Sequence, residues 1–262
     1  MSDNGVTPDA VGFARIRVPS AYEMVAESIE REILSGRLRP GDEIGTEAEL
    51  VRQFGVNRST VREGIRMLEQ NGLVERAAGR RLAVSVPRYR SLSTRMSRAL
   101  VLSEVTFSEL FGAAIVFETG AAEAAAQNAT AEDIARLEAN LAQAREVAGD
   151  PVRLAALDTA FHALVAQAAH NRVLEHAREP AALLFFPTVE LICRRVPEGP
   201  GRLLEAHARL VAAIRAGDAA DARDWMRRHV ADWLKGFRRT GRDPDEPVER
   251  ALATAASVAS AI

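Results

Sequence analysis

The stretch "LVRQFGVNRSTVREGIRMLEQNGLVERAAGRRLAVSV", residues 50–86, changes its hydrophobic period from helical to strand-like within a few turns. Leu50 and Phe54 mark one side of a short helix near Glu47–Phe54. "GVN" at 55–57 makes a tight turn, and Asn57 is placed to cap a second helix running to about Gln70. Val61, Ile65 and Leu68 form the apolar stripe of that helix. After "NGL", the segments "LVER" and "LAVSV" read as two extended pieces joined around "AAGRR". Upstream, Ser20 is placed to cap a first helix through about Ser35, with Met24, Val25, Ile29, Ile33 and Leu34 at helical spacing. Gly36, Pro40 and Gly41 in "GRLRPGDEI" end it. The order helix, helix, turn, helix, hairpin predicts a winged helix-turn-helix over residues 20–87, preceded by a disordered tail over 1–19.

Arg58, Arg62 and Arg66 fall at i, i+4 and i+8 on the second of these short helices, apart from its apolar stripe. A charge run is more often a solvated face than a site. Here the preceding helix, the turn and the glycine-containing hairpin favour DNA. The guanidinium fork bonds phosphates and the guanine edge bidentately, and a helix bearing it at its N-terminal end fits the major groove. Ser59 and Thr60 add short polar contacts from the same end. Gly79 and Arg80 stand at the hairpin tip, where a turn brings backbone close to the duplex. The DNA-contacting set is therefore Arg58, Ser59, Thr60, Arg62, Arg66, Gly79 and Arg80.

From residue 88 to 239 no strand pattern occurs. Ala- and Leu-rich helical patterns are punctuated by "NAT" at 128, "GDP" at 149, "HN" at 170, "PEGPG" at 197 and "GD" at 217. Thr130 and Asp133 have capping-box spacing, and Pro180 and Pro187 are expected to kink a helix. Six or seven helices result, so the fold class is mainly α: a winged unit followed by an all-α bundle. Residues 240–262 form a tail of uncertain order. The 262 residues carry a net charge of −2 and are 47% hydrophobic, enough for two cores. A lone cysteine, Cys193, excludes a disulfide framework. With no apolar run of membrane-spanning length and no signal-peptide core at the N-terminus, a cytoplasmic location is expected.

Within "LDTAFHALVAQAAHN", residues 157–171, Asp158 and His162 stand four apart beside the apolar Leu154, Phe161 and Val165. His207 and His229 lie on apolar faces too, ten residues before and about twelve after the "GD" break. At about 1.5 Å rise per residue, antiparallel helices would bring the two imidazoles level. A single buried histidine is usually bonded to a backbone carbonyl. Four such groups on matched faces point instead to a divalent metal, because neutral imidazole and carboxylate are good ligands for zinc first, or for nickel or manganese. His170 and His176 lack this setting, and Asn171 reads as a helix cap.

The segment "PGDEIGTEAELVRQFGVNRSTVREGIRMLEQNGLVERAAGRR" resembles the DNA-binding domain of GntR-type transcriptional regulators. Two positions depart from that pattern: Ala48 stands where many relatives carry arginine, and Arg81 where a second wing glycine is common. "DTAFHALVAQAAHN" and "EAHARLVAAIRAGDAADARDWMRRHV" resemble the effector domain of the FadR-type branch. The resemblance implies an all-helical domain whose metal ligands are Asp158, His162, His207 and His229, one divalent ion per chain. It also implies a homodimer that binds operator DNA and senses a small molecule, often a carboxylate. Glu118 matches the start of that domain, and Ala114 replaces an arginine that relatives carry four residues earlier. A less acidic or larger effector, or an arginine from elsewhere such as Arg194 or Arg195, would follow.

The expected function is a metabolite-responsive repressor on a palindromic operator. Two other readings are a metal-dependent hydrolase or lyase using the Asp/His/His/His centre, and a constitutive DNA binder with a structural metal. No residue offers itself as the enzyme's general base, and an enzyme has no use for the basic winged unit.

Overall fold

The computed structural model describes residues 19–77, 81–86, 89–185 and 187–248. The chain forms two compact units, Met1–Arg88 and Tyr89–Ile262.

In the first unit, α1 (Ala21–Leu34) starts where the Ser20 N–H donates to Glu23 Oε2 at 2.7 Å. The side chains of Val25, Ala26 and Ile29 are buried, but Met24 and Leu34 are exposed, so the apolar stripe is narrower than its spacing suggested. α2 (Glu47–Phe54) ends on Gly55 at φ 66°. α3 (Arg58–Asn71) begins where Asn57 accepts the Thr60 N–H at 2.8 Å, and Gly72 at φ 74° stops it. A Cβ on Gly64 would lie 2.9 Å from the Tyr22 carbonyl oxygen, so only glycine lets α3 approach α1 this closely.

The expected hairpin is present as an antiparallel pair, and a third strand, not expected from the sequence, joins it. Three strands are present: β1 (Glu43–Thr46), β2 (Val74–Arg76) and β3 (Arg81–Val84), in the order β1-β3-β2 and antiparallel throughout. "EIGT" shows no apolar alternation, because β1 is held by backbone pairing to β3 and carries an irregularity between Glu43 and Gly45. Leu50, Val61, Ile65, Leu68, Val74 and Leu82 join α1 in a single core.

The second unit contains eight helices among the described residues, against six or seven expected. They are α4 (Tyr89–Leu102), α5 (Phe107–Asn128), α6 (Ala131–Glu146), α7 (Pro151–Ala168), α8 (Arg172–Phe185), α9 (Thr188–Arg195), α10 (Gly199–Ala216) and α11 (Ala219–Arg239). The extra helix arises at Pro187, which stands at the N-cap of α9 and so divides two helices, whereas Pro180 lies within α8. Pro180's carbonyl accepts the Ser97 hydroxyl of α4 at 2.9 Å. Thr130 and Asp133 form the capping box of α6, and Asn171 accepts the Val173 and Leu174 N–H groups at the start of α8.

Phe107 stacks on Phe237 with ring centroids 3.9 Å apart, tying the start of α5 to the end of α11. Part of the expected tail packs here as well. The Val248 N–H donates to the Val105 carbonyl at 2.9 Å, and the Val248 side chain is in the core. No helix among the described residues is long and apolar enough to cross a membrane.

Candidate metal centre and nucleic-acid interface

α7 carries Asp158 and His162 one turn apart, both buried. Gly217, at φ 71°, closes α10, and Asp218 caps α11, so the chain reverses sharply at the "GD" break. The reversal brings His207 and His229 together, with ring centroids 4.9 Å apart. One ligand atom from each of Asp158, His162, His207 and His229 lies within 4.8 Å of the others.

The distances test whether these residues suit a metal. His207 Nε2 is 3.3 Å from Asp158 Oδ1, and His162 Nε2 is 3.2 Å from His229 Nε2. His162 Nε2 and His229 Nε2 are each 3.9 Å from Asp158 Oδ1. Ligand atoms about 2.0–2.2 Å from a tetrahedral zinc would be spaced roughly 3.3–3.6 Å apart. Both carboxylate oxygens of Asp158 and both ring nitrogens of His207 are buried without a hydrogen-bond partner among the described residues. Left so, they cost folding free energy. The residues fit a divalent cation.

Electrostatics agree. Burial pushes the Asp158 pKa up, and the nearby imidazoles counter it only in part. Burial pushes His207 and His229 well below the usual histidine value, and neighbouring imidazoles add to that. Neutral rings are the form that ligates metal.

A further layer holds the cluster. Glu118 of α5 lies 2.9 Å from His162 Nδ1 through Oε2, and its Oε1 accepts the Arg178 Nε–H at 2.8 Å. Burial alone would raise the Glu118 pKa, but His162 and Arg178 outweigh it and hold the carboxyl below its usual value. A carboxylate on Nδ1 fixes the tautomer that presents Nε2 to the centre. Arg178, only 6% exposed, was not singled out in the sequence. Its signal was a charged residue on the Leu174–Phe185 stripe of α8. Arg194 and Arg195 are engaged elsewhere, with Glu190 and the Thr240 carbonyl. Beside Ala114, Phe117, Phe185 and Arg178 leave only about 10 Å³. A groove of about 610 Å³ between α7 and α8 is lined by Arg178 and by none of the four cluster residues.

In the first unit, the side chains of Arg58, Arg62 and Arg66 are 75%, 66% and 65% exposed on one face of α3. Ser59's hydroxyl donates to Asn57 at 2.7 Å, so it supports the cap. Glu47, unremarked in the sequence, lies 3.8 Å from Arg58, 4.0 Å from Arg62 and 3.1 Å from Arg76. Arg81 pairs with Glu43 across β1 and β3. Gly79 and Arg80 lie outside the described residues.

A winged helix-turn-helix with an arginine-bearing helix, followed by a bundle enclosing a ligand cluster, is the build of a regulator of transcription. Residues 21–84 match the bacterial regulatory proteins of the gntR family, and residues 109–232 match the FCD domain. The chain is 29% identical over 214 residues to the HTH-type transcriptional regulator LutR of Bacillus subtilis, covering 78% of this chain and 97% of that protein. It is 30% identical over 200 residues to the Glc operon transcriptional activator of Escherichia coli, covering 73% and 79%. The HTH-type transcriptional repressor NanR of Cronobacter sakazakii is 30% identical over 242 residues, covering 85% and 88%. A solved structure, Streptococcus agalactiae GntR, superimposes with a TM-score of 0.56 at 25% identity, covering 80% of this chain and 98% of that one. The chain belongs to the GntR family of transcriptional regulators, in the FadR-type branch that carries an FCD domain. It is a regulator and not an enzyme.

Proposed function

We propose that this regulator binds a palindromic operator as a homodimer in the cytoplasm, acts as a repressor, and responds to a small organic acid at a metal-containing site. Asp158, His162, His207 and His229 would hold one divalent ion per chain, with zinc the first choice and nickel or manganese the alternatives. When bound, the ion supplies the positive charge that Asp158 lacks and a Lewis-acid position for an effector's oxygen. The observation that carries the reading is the Asp158 carboxylate, buried with no hydrogen-bond partner among the described residues and set beside His207 and His229, which burial keeps neutral. Glu118 and Arg178 orient His162 from behind.

On the DNA side, Arg58, Ser59, Thr60, Arg62 and Arg66 supply the contacts of α3, with Gly79 and Arg80 at the wing. A two-fold dimer presents two such helices to related half-sites. Two measurements test the proposal: metal content of protein purified without chelator, and enrichment of binding sites from a random duplex pool. Protein that resists added zinc, nickel and manganese would return the cluster to a hydrogen-bonded core. Enriched sites without two-fold symmetry would remove the dimeric operator.

A further inference from the structure

Between α9, α10 and α11 lies a cavity of about 30 Å³, lined by the buried Asp158 and His229 and also by Arg202 and Asp232. Arg202 of α10 donates through Nε to Asp232 Oδ2 at 2.8 Å, and its Nη2 contacts Oδ1, so the pair is bidentate. These two side chains are 38% and 37% exposed, whereas those of Asp158 and His229 are 1% and 8% exposed. The ion pair is thus on the solvent side of a void whose inner side holds a carboxylate with no hydrogen-bond partner among the described residues. On another wall, Ile192 of α9 packs so closely on Gly236 of α11 that a Cβ there would lie 2.9 Å from Ile192 Cγ2. That wall cannot open without separating two helices.

We propose that the Arg202–Asp232 pair is the entrance to the metal centre, and that Arg202 selects small organic acids by exchanging the Asp232 carboxylate for the ligand's. This rests on the proposed reading of the cluster as the sensing site. A bidentate arginine–carboxylate contact is the geometry that an incoming carboxylate reproduces, so the exchange conserves charge and hydrogen bonds. A half-exposed pair is weak enough to open readily. The Arg178–Glu118 pair, buried on both sides, has no such freedom.

Cys193 lines the same cavity and is the protein's single cysteine, so it reports on the entrance without any metal. The test alkylates the full-length protein with neutral iodoacetamide and with anionic iodoacetate at fixed pH and salt. In both reactions the Cys193 thiolate displaces iodide, and the thiol proton goes to solvent. The rate ratio, iodoacetate over iodoacetamide, is divided by the same ratio in the urea-unfolded chain. Asp232→Asn should raise this normalised ratio about two- to fivefold, the range of a partly exposed pair. Arg202→Gln should lower it by a similar factor while speeding iodoacetamide itself. Arg223→Gln, which breaks the exposed pair with Glu123, should change neither.

Equal ratios in all the proteins, or labelling only at the rate of global unfolding, would overturn the entrance. Metal analysis of the same samples separates the two ideas. Metal-free protein with the expected ratios refutes the metal reading alone, and metal-bearing protein with flat ratios refutes the entrance alone.

Discussion

Glu118 of α5 and His162 of α7, forty-four residues apart in sequence, meet at 2.9 Å between Oε2 and Nδ1. The contact makes a carboxylate on a second helix the orienting partner of a metal-ligand candidate. Glu118→Gln should lower metal affinity by about 10- to 100-fold, the usual effect of losing such a partner. Competition with a chromophoric chelator measures it. Unchanged affinity would reduce Glu118 to a counter-ion for Arg178.

The metal-free protein should lose stability as pH falls through about 6.5, the ordinary histidine value. Burial lowers the folded-state pKa of His207 and His229, so below that pH the unfolded chain binds more protons than the folded one. Between its folded pKa and 6.5 each histidine contributes a slope of up to about 1.4 kcal/mol per pH unit, so its share of the stability is present in full above 6.5 and is lost as pH falls toward the folded pKa. Asp158 acts in the opposite sense, because its folded pKa is raised and protonation favours the fold. Urea unfolding of chelator-treated protein from pH 8 to 5 gives the slope. His207→Phe should flatten it by one proton's worth, and an unchanged slope in that variant would contradict the assignment.

Arg62→Ala should weaken operator binding by about 1–3 kcal/mol if the side chain reads a base edge, with little change on a scrambled duplex. Glu47→Gln should do the reverse. Removing the carboxylate shared by Arg58, Arg62 and Arg76 strengthens binding to both duplexes and steepens its salt dependence. Fluorescence anisotropy across a salt series distinguishes them. Equal weakening on both duplexes would make Arg62 a phosphate contact.

Gly64→Ala should destabilise the winged unit by about 1–3 kcal/mol, because the new methyl group meets the Tyr22 carbonyl and Val25. Both tryptophans, Trp225 and Trp233, lie on α11 in the other unit. The variant should therefore shift the circular-dichroism transition while leaving the tryptophan fluorescence midpoint in place. A shift in fluorescence alone would contradict the packing.

The winged unit and the four-residue cluster were legible in the chain because each is written in local period. Asn57, Gly72 and the Val61–Ile65–Leu68 stripe set α3 through capping and burial that act within a few residues. Asp158 and His162 share a turn of α7, and the "GD" break fixes by simple helical rise where His207 and His229 meet. β1 was invisible because its place depends on backbone hydrogen bonds to a strand almost forty residues away, to which side-chain type contributes little. The division at Pro187 was misjudged for a related reason: a proline permits either a kink or a new helix start, and packing chooses between them.

By itself, then, the sequence determined which faces are buried, where helices begin and stop, and that an acid and three imidazoles share one core. Tertiary structure alone decided their company: Glu118 and Arg178 behind His162, Glu47 among the arginines of α3, and Arg202 with Asp232 at the mouth of the cavity. The physical reason is that burial and helix formation follow a residue's own chemistry and near neighbours. Ion pairing depends on which charge the folded chain brings within a few ångströms, and no periodicity records that.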